Sequence, residues 1–381
     1  MNILFVGSRG IPKMGTAEDM RLTFFANAIS DKNDITIINR YSSALEHKLG
    51  DLHLANNIRV REIINSKKTG SFITKALLFL SVLYEPFVII SENKRKKVQV
   101  LHLYTGHYID MLLYRIISKL LKIKVVYQYV EYRSEIKRSG LYHRINGWLC
   151  DNKAARLWDG VIPISDFLEK KALEINPTLK SLKVTPLCDF DYFEQDSIKP
   201  KISSDYILFC GSISYIEPID LIVESYRKSK LAENAKLVLV LSGSEDSLNI
   251  FRQNNSDVVV LTRLPYSELI SYYKNAKLLL IPLRNTIQDI ARFPNKICEY
   301  TACKGAILTT KVGEVLNYFK DGENAIVAED FSIHSYTLKM DEVYGGKYNL
   351  EALRNNAYEL GKNCFSINAY SEPLNEFLNS L

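Results

Sequence analysis

Short apolar runs alternate with stretches of helical periodicity along the whole chain. In the first half, Ile3–Val6, Ile35–Ile38, Ile58–Ile63, Val98–Leu103, Val125–Tyr129 and Gly160–Ile164 read as strands. Helical spacing fills Ala17–Ile29, Ile73–Ile90, Ile109–Leu121 and His143–Leu157. The strand runs are almost continuously apolar, as strands buried on both faces are, which predicts a parallel sheet with helices on both sides. A polar stretch, Glu194–Asp205, has the composition of a linker. The alternation then restarts with strands at Tyr206–Cys210, Lys236–Leu241, Val258–Leu261, Leu278–Ile281, Ala306–Thr309 and Ala325–Val327. Helical patterns there cover Pro218–Lys228, Tyr266–Ala276, Pro294–Lys304 and Leu350–Lys362. The expected architecture is α/β, with two doubly wound, Rossmann-like parallel-sheet domains over residues 1–195 and 204–365. A tail helix at 366–381 is expected to pack back on the first domain. Ligands of such sheets bind outside the carboxyl ends of the strands, so both domains are expected to aim loops into one central cleft.

Composition narrows the function classes. A chain of 381 residues can bury two cores. The net charge of +6 is mildly basic, but no Arg-rich block or zinc-ligand spacing accompanies it, so nucleic acid is not an expected partner. Cys150, Cys188, Cys210, Cys298, Cys303 and Cys364 form no C-x-x-C pair, and several lie in apolar runs. They read as free thiols in a reducing compartment. The chain opens directly on a strand without a leader pattern, and a cytoplasmic location is expected. No run reaches the length of a membrane span. The apolar segment Phe72–Ile90 lies between Lys67-Lys68 and Lys94–Lys97, a pattern of a helix resting on an anionic membrane surface. An internal helix with some break at Glu85-Pro86 is the structural alternative.

The densest chemistry lies in Arg292–Thr310, which reads as a loop, a helix opened by Pro294 and a buried strand. A helix start leaves unpaired N–H groups that suit an anion. Arg292 and Lys296 add two positive charges there, and Glu299 lies one turn beyond Asn295. Cations, free amides and a carboxylate suit a ligand with both a phosphate and a hydroxyl-rich part, such as a nucleotide-sugar. In that reading Arg292 and Lys296 bind phosphate and Glu299 accepts from donor hydroxyls. The structural alternative for Glu299 is a salt bridge to Arg292 or Lys296.

Further candidates lie in the first half. Gly7, Gly10 and Gly15 match neither G-x-G-x-x-G nor a phosphate-binding Walker loop. Gly15-Thr16, at a helix start, can place N–H groups near an acceptor or a donor diphosphate, or simply make a tight turn. His107 follows the strand Val98–Leu103, and Glu131 with Arg133 follows the strand Val125–Tyr129. Glu131 and His107 are the local candidates for an acceptor base. Asp189-Phe-Asp191 is an Asp-x-Asp, but it lies near the linker rather than after an apolar strand, and no metal is expected.

Three blocks resemble the bacterial polysaccharide-type glycosyltransferases of family four, which have the GT-B fold. They are Val6–Glu18, then Asp159–Leu168 with Val184–Phe193, then Arg292–Thr310 continued by Val312-Gly-Glu-Val315 and Asp321-Gly-Glu-Asn324. The resemblance implies transfer of a sugar from a nucleotide diphosphate-sugar, with retention and without a metal or other cofactor. It places the donor on the second domain and a glycan or lipid-linked acceptor on the first. The expected role is surface polysaccharide synthesis, with the basic and apolar segment near residues 67–97 helping the chain approach a lipid-linked acceptor on the inner face of the plasma membrane. In a retaining front-side reaction the donor's own phosphate oxygen can take the acceptor proton, so a protein base is optional.

The chain departs from that family in two places. Of two carboxylates usually eight residues apart, Glu299 matches the second, but Ala291 stands at the first. The usual Gly-Arg and Lys-Gly of the donor site read Gly211-Ser212 and Glu217-Pro218. Arg292, Lys296 and Arg263 are then the candidate replacement clamp for the departing diphosphate. The alternative is a catalytically weakened GT-B protein acting as a binding or scaffold partner. A nicotinamide oxidoreductase is disfavoured, since no G-x-G-x-x-G follows a strand.

Overall fold

The computed structural model describes residues 1–8, 17–40, 54–55, 57–63, 72–136, 139–194 and 200–381. The chain divides into two compact units, Met1–Leu187 with Ile367–Leu381, and Cys188–Ser366.

In the first unit, β1 (Asn2–Ser8), α1 (Ala17–Ser30), β2 (Asp34–Asn39), β3 (Ile58–Glu62), α2 (Phe72–Arg95), β4 (Val100–Leu103) and α3 (Tyr108–Leu121) come first. Then follow β5 (Lys124–Tyr129), α4 (Leu141–Asn152), β6 (Gly160–Pro163), α5 (Asp166–Ile175) and β7 (Lys180–Ser181). The described strands form a parallel sheet in the order β3-β2-β1-β4-β5-β6-β7. From β3 onward the chain always moves in one direction across the sheet, so right-handed crossovers put α2, α3 and α4 on one face. They pack there side by side.

The second unit holds α6 (Phe190–Glu194), β8 (Tyr206–Ser212), α7 (Ile216–Lys228), β9 (Lys236–Ser242), α8 (Glu245–Asn254), β10 (Val259–Leu261) and α9 (Tyr266–Asn275). It continues with β11 (Leu278–Ile281), α10 (Ile287–Ile290), α11 (Asn295–Ala302), β12 (Ile307–Thr310), β13 (Ile326–Ala328), α12 (Ile333–Tyr344) and α13 (Leu350–Cys364). Its parallel sheet runs β10-β9-β8-β11-β12-β13. Ile207, Leu239, Leu280 and Leu308 carry its core, each almost fully buried.

The last helix, α14 (Ile367–Ser380), belongs to the first unit and packs on α1. Leu374, Phe377 and Leu378 are its buried face. Asn33 Nδ2 donates to Asn375 Oδ1 at 2.6 Å. Gly160 is needed beneath it, because a Cβ there would come within 2.7 Å of Leu381 and 2.9 Å of Phe377. Residues 188–193 lie with the second unit rather than the first. Phe190 and Phe193 are buried there, and the Cys188 N–H donates to the Phe365 carbonyl at 2.8 Å.

Several elements depart from the sequence expectation. α2 runs unbroken to Arg95 through Pro86, although proline removes one helical hydrogen bond. Tertiary contacts hold the helix at that point. The preceding residue, Glu85, is fully buried, accepting from Arg40 Nε at 2.8 Å and from the Tyr114 hydroxyl at 2.7 Å. Arg40 also donates to Asp110 at 3.0 Å, and the Thr105 hydroxyl donates to the same Asp110 oxygen at 3.0 Å. Burial pushes the Glu85 carboxyl above its ordinary range, with Arg40 pulling the other way. α11 begins at Asn295, with Pro294 as its extended cap rather than its first helical residue. α5, α8 and α12 were not legible as periodic patterns, since each mixes polar residues into a short amphipathic run.

His102, on β4, is fully buried between the rings of Phe5 and Phe25, at 4.2 and 4.7 Å. Burial, with Arg21 nearby, pushes its pKa down to about 3. An unfolded chain would hold this imidazole near pH 6.5. Between those values only the unfolded chain binds the proton, so stability is full above about pH 6.5 and falls as the pH drops toward 3. Between pH 7.5 and 5.5, urea unfolding should lose roughly 1–2 kcal/mol from this group. His102→Gln should flatten that slope; an unchanged slope would remove His102 as its source.

Candidate functional site

In the second sheet the chain reverses direction between β8 and β11, since β9 lies on one side of β8 and β11 on the other. At such a reversal the loops after the two strands diverge and leave a crevice at their carboxyl ends. β8 ends on Gly211 and Ser212 and the loop after it carries Tyr215; the loop after β11 carries Arg284. Two polar contacts span the crevice. Arg292 Nη1 donates to the Tyr215 hydroxyl at 3.2 Å. Arg284 Nη1 donates to Glu217 at 2.8 Å.

Arg284 is also held from its own side. Its Nε and Nη2 donate to the two oxygens of Asp289 at 2.8 and 3.1 Å, and its backbone N–H donates to Asp289 at 3.0 Å. Those side-chain bonds to Asp289, then Glu217, hold the guanidinium charged despite partial burial. Asp289 is itself fixed in α10, where Thr286 caps the helix by accepting from the Asp289 N–H. The loop after β12 closes on this helix. Gly313 has a φ of +62°, and a Cβ there would meet the Ile290 Cα at 2.9 Å.

Lys296 and Glu299 lie one turn apart on α11 and form an ion pair. Lys296 Nζ donates to Glu299 Oε2 at 2.9 Å and to Oε1 at 3.2 Å. The Glu299 side chain is buried, and the Lys296 side chain is partly exposed along its length. Burial alone would depress the ammonium, but Glu299 outweighs it and Lys296 titrates above its ordinary range. The ammonium also sits 5.7 Å from the centre of the Tyr273 ring. Tyr273 meets Tyr300 edge-on at 5.0 Å. Burial holds both phenols well above their usual titration range, so the ion pair rests against neutral rings. The salt bridge weighed for Glu299 on the sequence is therefore present, with Lys296 as the partner.

Arg263 does not join this group. It follows β10, the outer strand of the sheet, has a left-handed φ of 54°, and pairs with Glu245 at 3.4 Å while mostly exposed. Arg284 went unnoticed in the sequence. Its signal was its position just beyond Leu278–Ile281, on a strand that flanks the reversal, which only the strand order identifies.

In the first unit the corresponding reversal falls between β1 and β4. Gly15 and Thr16, with the rest of that first loop, lie outside the described residues. His107 caps α3, and its Nδ1 lies 3.1 Å from the Tyr142 hydroxyl. Arg133 covers Gly106, where a Cβ would sit 2.4 Å from its guanidinium. Glu131 is 3.9 Å from that guanidinium. Asp151 holds the segment in place by accepting from the Arg133 N–H at 3.0 Å and the Tyr129 hydroxyl at 3.1 Å. His107, Glu131 and Arg133 are thus gathered around Gly106, at the carboxyl ends of β4 and β5. Among the described residues no group of His, Cys, Asp and Glu is placed to hold a metal ion. Asp189 instead accepts from the Tyr192 N–H at 3.3 Å.

Residues 193–360 match the family model of group 1 glycosyl transferases, which spans nearly all of the second unit. No curated protein sequence matches the chain. Among solved structures, sucrose-phosphate synthase from Thermosynechococcus elongatus is similar at 11% identity and a TM-score of 0.77, covering 100% of this chain and 98% of its own. HepE from Anabaena, in complex with UDP and glucose, is similar at 15% identity and a TM-score of 0.70, covering 100% of both chains. The lipopolysaccharide outer core galactosyltransferase WaaB reaches 11% identity and 0.66, covering 100% of this chain and 99% of its own. The fold is that of the GT-B glycosyltransferases, and the domain match supports a glycosyltransferase.

Lys296→Met would leave the buried Glu299 carboxylate without its cation. Denaturant unfolding should show a loss of about 1–3 kcal/mol, recovered in part by adding Glu299→Gln. Arg263→Ala, at an exposed pair, should stay within about 0.5 kcal/mol. Equal losses in the two single variants would mean that the Lys296 pair carries no special weight.

Proposed function

We propose that this chain is a retaining, metal-independent glycosyltransferase. It moves a sugar from a nucleotide diphosphate-sugar to a glycan or lipid-linked acceptor in surface polysaccharide synthesis. The observation that carries this reading is the set of cations around the β8/β11 crevice, within the segment that matches the group 1 family. Lys296 keeps its charge through Glu299 on a partly exposed side chain, and Arg292 reaches across to Tyr215. When the sugar–oxygen bond breaks, negative charge grows on the departing diphosphate, and fixed cations oppose it without a metal. Glu299 then fits the role of hydrogen-bond acceptor for donor hydroxyls while it orients Lys296. Arg284 braces the crevice through Glu217 and Asp289. The acceptor would lie on the first unit, where His107, Glu131 and Arg133 gather.

A second reading has its own support. Lys296 and Glu299 already satisfy one another, and Ala291 and Ser212 stand where the resembling family carries an acid and a cation. A protein that binds the donor without turning it over fits those facts.

Titration calorimetry with UDP and GDP tests donor binding, UDP being the nucleotide in the HepE complex. Arg292→Ala and Lys296→Ala should each weaken diphosphate binding by about 1.5–3 kcal/mol. Unchanged affinity in both would remove the clamp. Glu299→Gln should lower turnover while the fold survives. Nucleotide binding without hydrolysis or transfer, even with a lipid-linked acceptor supplied, would favour the non-catalytic reading.

A further inference from the structure

α2 buries acids and leaves large apolar side chains outside. Its inward side carries the buried polar residues Ser81, Glu85 and Glu92 beside the apolar Val88 and Ile89. Leu83 and Phe87, on its outward stripe, are 55% and 65% exposed. The two neighbouring helices repeat the pattern. α3 exposes Ile116 and Leu120, and α4 exposes Ile145 and Trp148. Single exposed apolar residues need no explanation, but three adjacent helices with outward apolar stripes make one continuous surface.

The charges around this surface are one-sided. Between residues 80 and 157, Glu135 is the one exposed acid among the described residues; the other acids there are buried or half-buried. Several lysines stay out. α2 and α3 both run antiparallel to the strands, so their carboxyl ends share one edge of the unit. Lys94 and Lys97 at the end of α2, and Lys119 and Lys122 at the end of α3, are all exposed there.

We infer that the α2–α3–α4 face of the first unit docks on an anionic lipid bilayer. Apolar side chains enter the headgroup boundary, and the lysines at the rim meet lipid phosphates. The charge pattern favours lipid over a second copy of the chain, because a two-fold contact through this face would set like charges against each other. The surface is wider than the basic-flanked segment seen in the sequence, since α3 and α4 contribute to it. No described helix is long and apolar enough to cross a membrane, so the contact lies in the plane of the interface. The inference holds whether or not the chain transfers sugar.

Flotation of the full chain with vesicles tests it, comparing phosphatidylglycerol mixed into phosphatidylcholine with phosphatidylcholine alone. Binding should require the anionic lipid and weaken as salt is raised. Trp148 is exposed and Trp158 is buried, so a blue shift of emission on binding reports Trp148 entering the interface. Phe87→Ser/Trp148→Ser and Lys94→Glu/Lys97→Glu should each reduce partition roughly tenfold or more. Thermal unfolding should stay unchanged, because none of the four side chains is packed inside. Two independent variants keep the test valid if one of them misfolds. Absence of binding to anionic vesicles would overturn the inference, as would wild-type partition in both variants. A concentration-dependent dimer abolished by Phe87→Ser/Trp148→Ser, with no vesicle binding, would assign the face to self-association instead.

Discussion

The reversal of strand order in a parallel sheet is the constraint on which the candidate site depends. At β8 and β11 neighbouring loops leave in opposite directions, and no backbone fills the gap between them. Side chains must close it. Arg284 reaching Glu217 and Arg292 reaching Tyr215 do so in the second unit. An acid in the first turn of α7 would be unremarkable alone. Facing Arg284, it becomes half of a brace across the crevice. The positive charge in this crevice therefore comes from the β11 side and the start of α11, whereas in the resembling family it comes from the loop after the first strand.

Buried charge organises both units in the same manner. Arg40, Glu85, Asp110 and Tyr114 form a closed network beneath α2, and Lys296 with Glu299 forms a smaller one on α11. Breaking such groups costs more than their formation stabilises, since a charge is then left buried without its partner. They serve to fix geometry. The first network carries α2 past Pro86 without a break. The second sets Lys296 against Tyr273, with its ammonium held charged by Glu299.

The α2 network also has a consequence outside. A helix whose inward face holds Glu85 and Glu92 beside Val88 and Ile89 still leaves Leu83 and Phe87 on the other side. With α3 and α4 packed beside it, those residues join into a surface with a lysine-rich end. The same electrostatic anchoring thus shapes the interior of the first unit and the character of its exterior.

The alternation of apolar runs and helical periods determined the class of fold by itself, because strands buried on both faces leave that signature wherever they occur. It also marked Lys296 and Glu299, whose spacing on one helix makes them neighbours in any structure. It could not place Arg263 and Arg284, which look equivalent in the chain: each is a cation shortly after an apolar strand. Strand order separates them, since β10 is an outer strand and β11 borders the reversal. Nor could it orient α2, because an apolar segment with scattered acids reads equally well either way round. Those outcomes were decided by tertiary structure. They depend on which strands become neighbours and which buried acid finds a cation, and both partners in each case are distant in the chain.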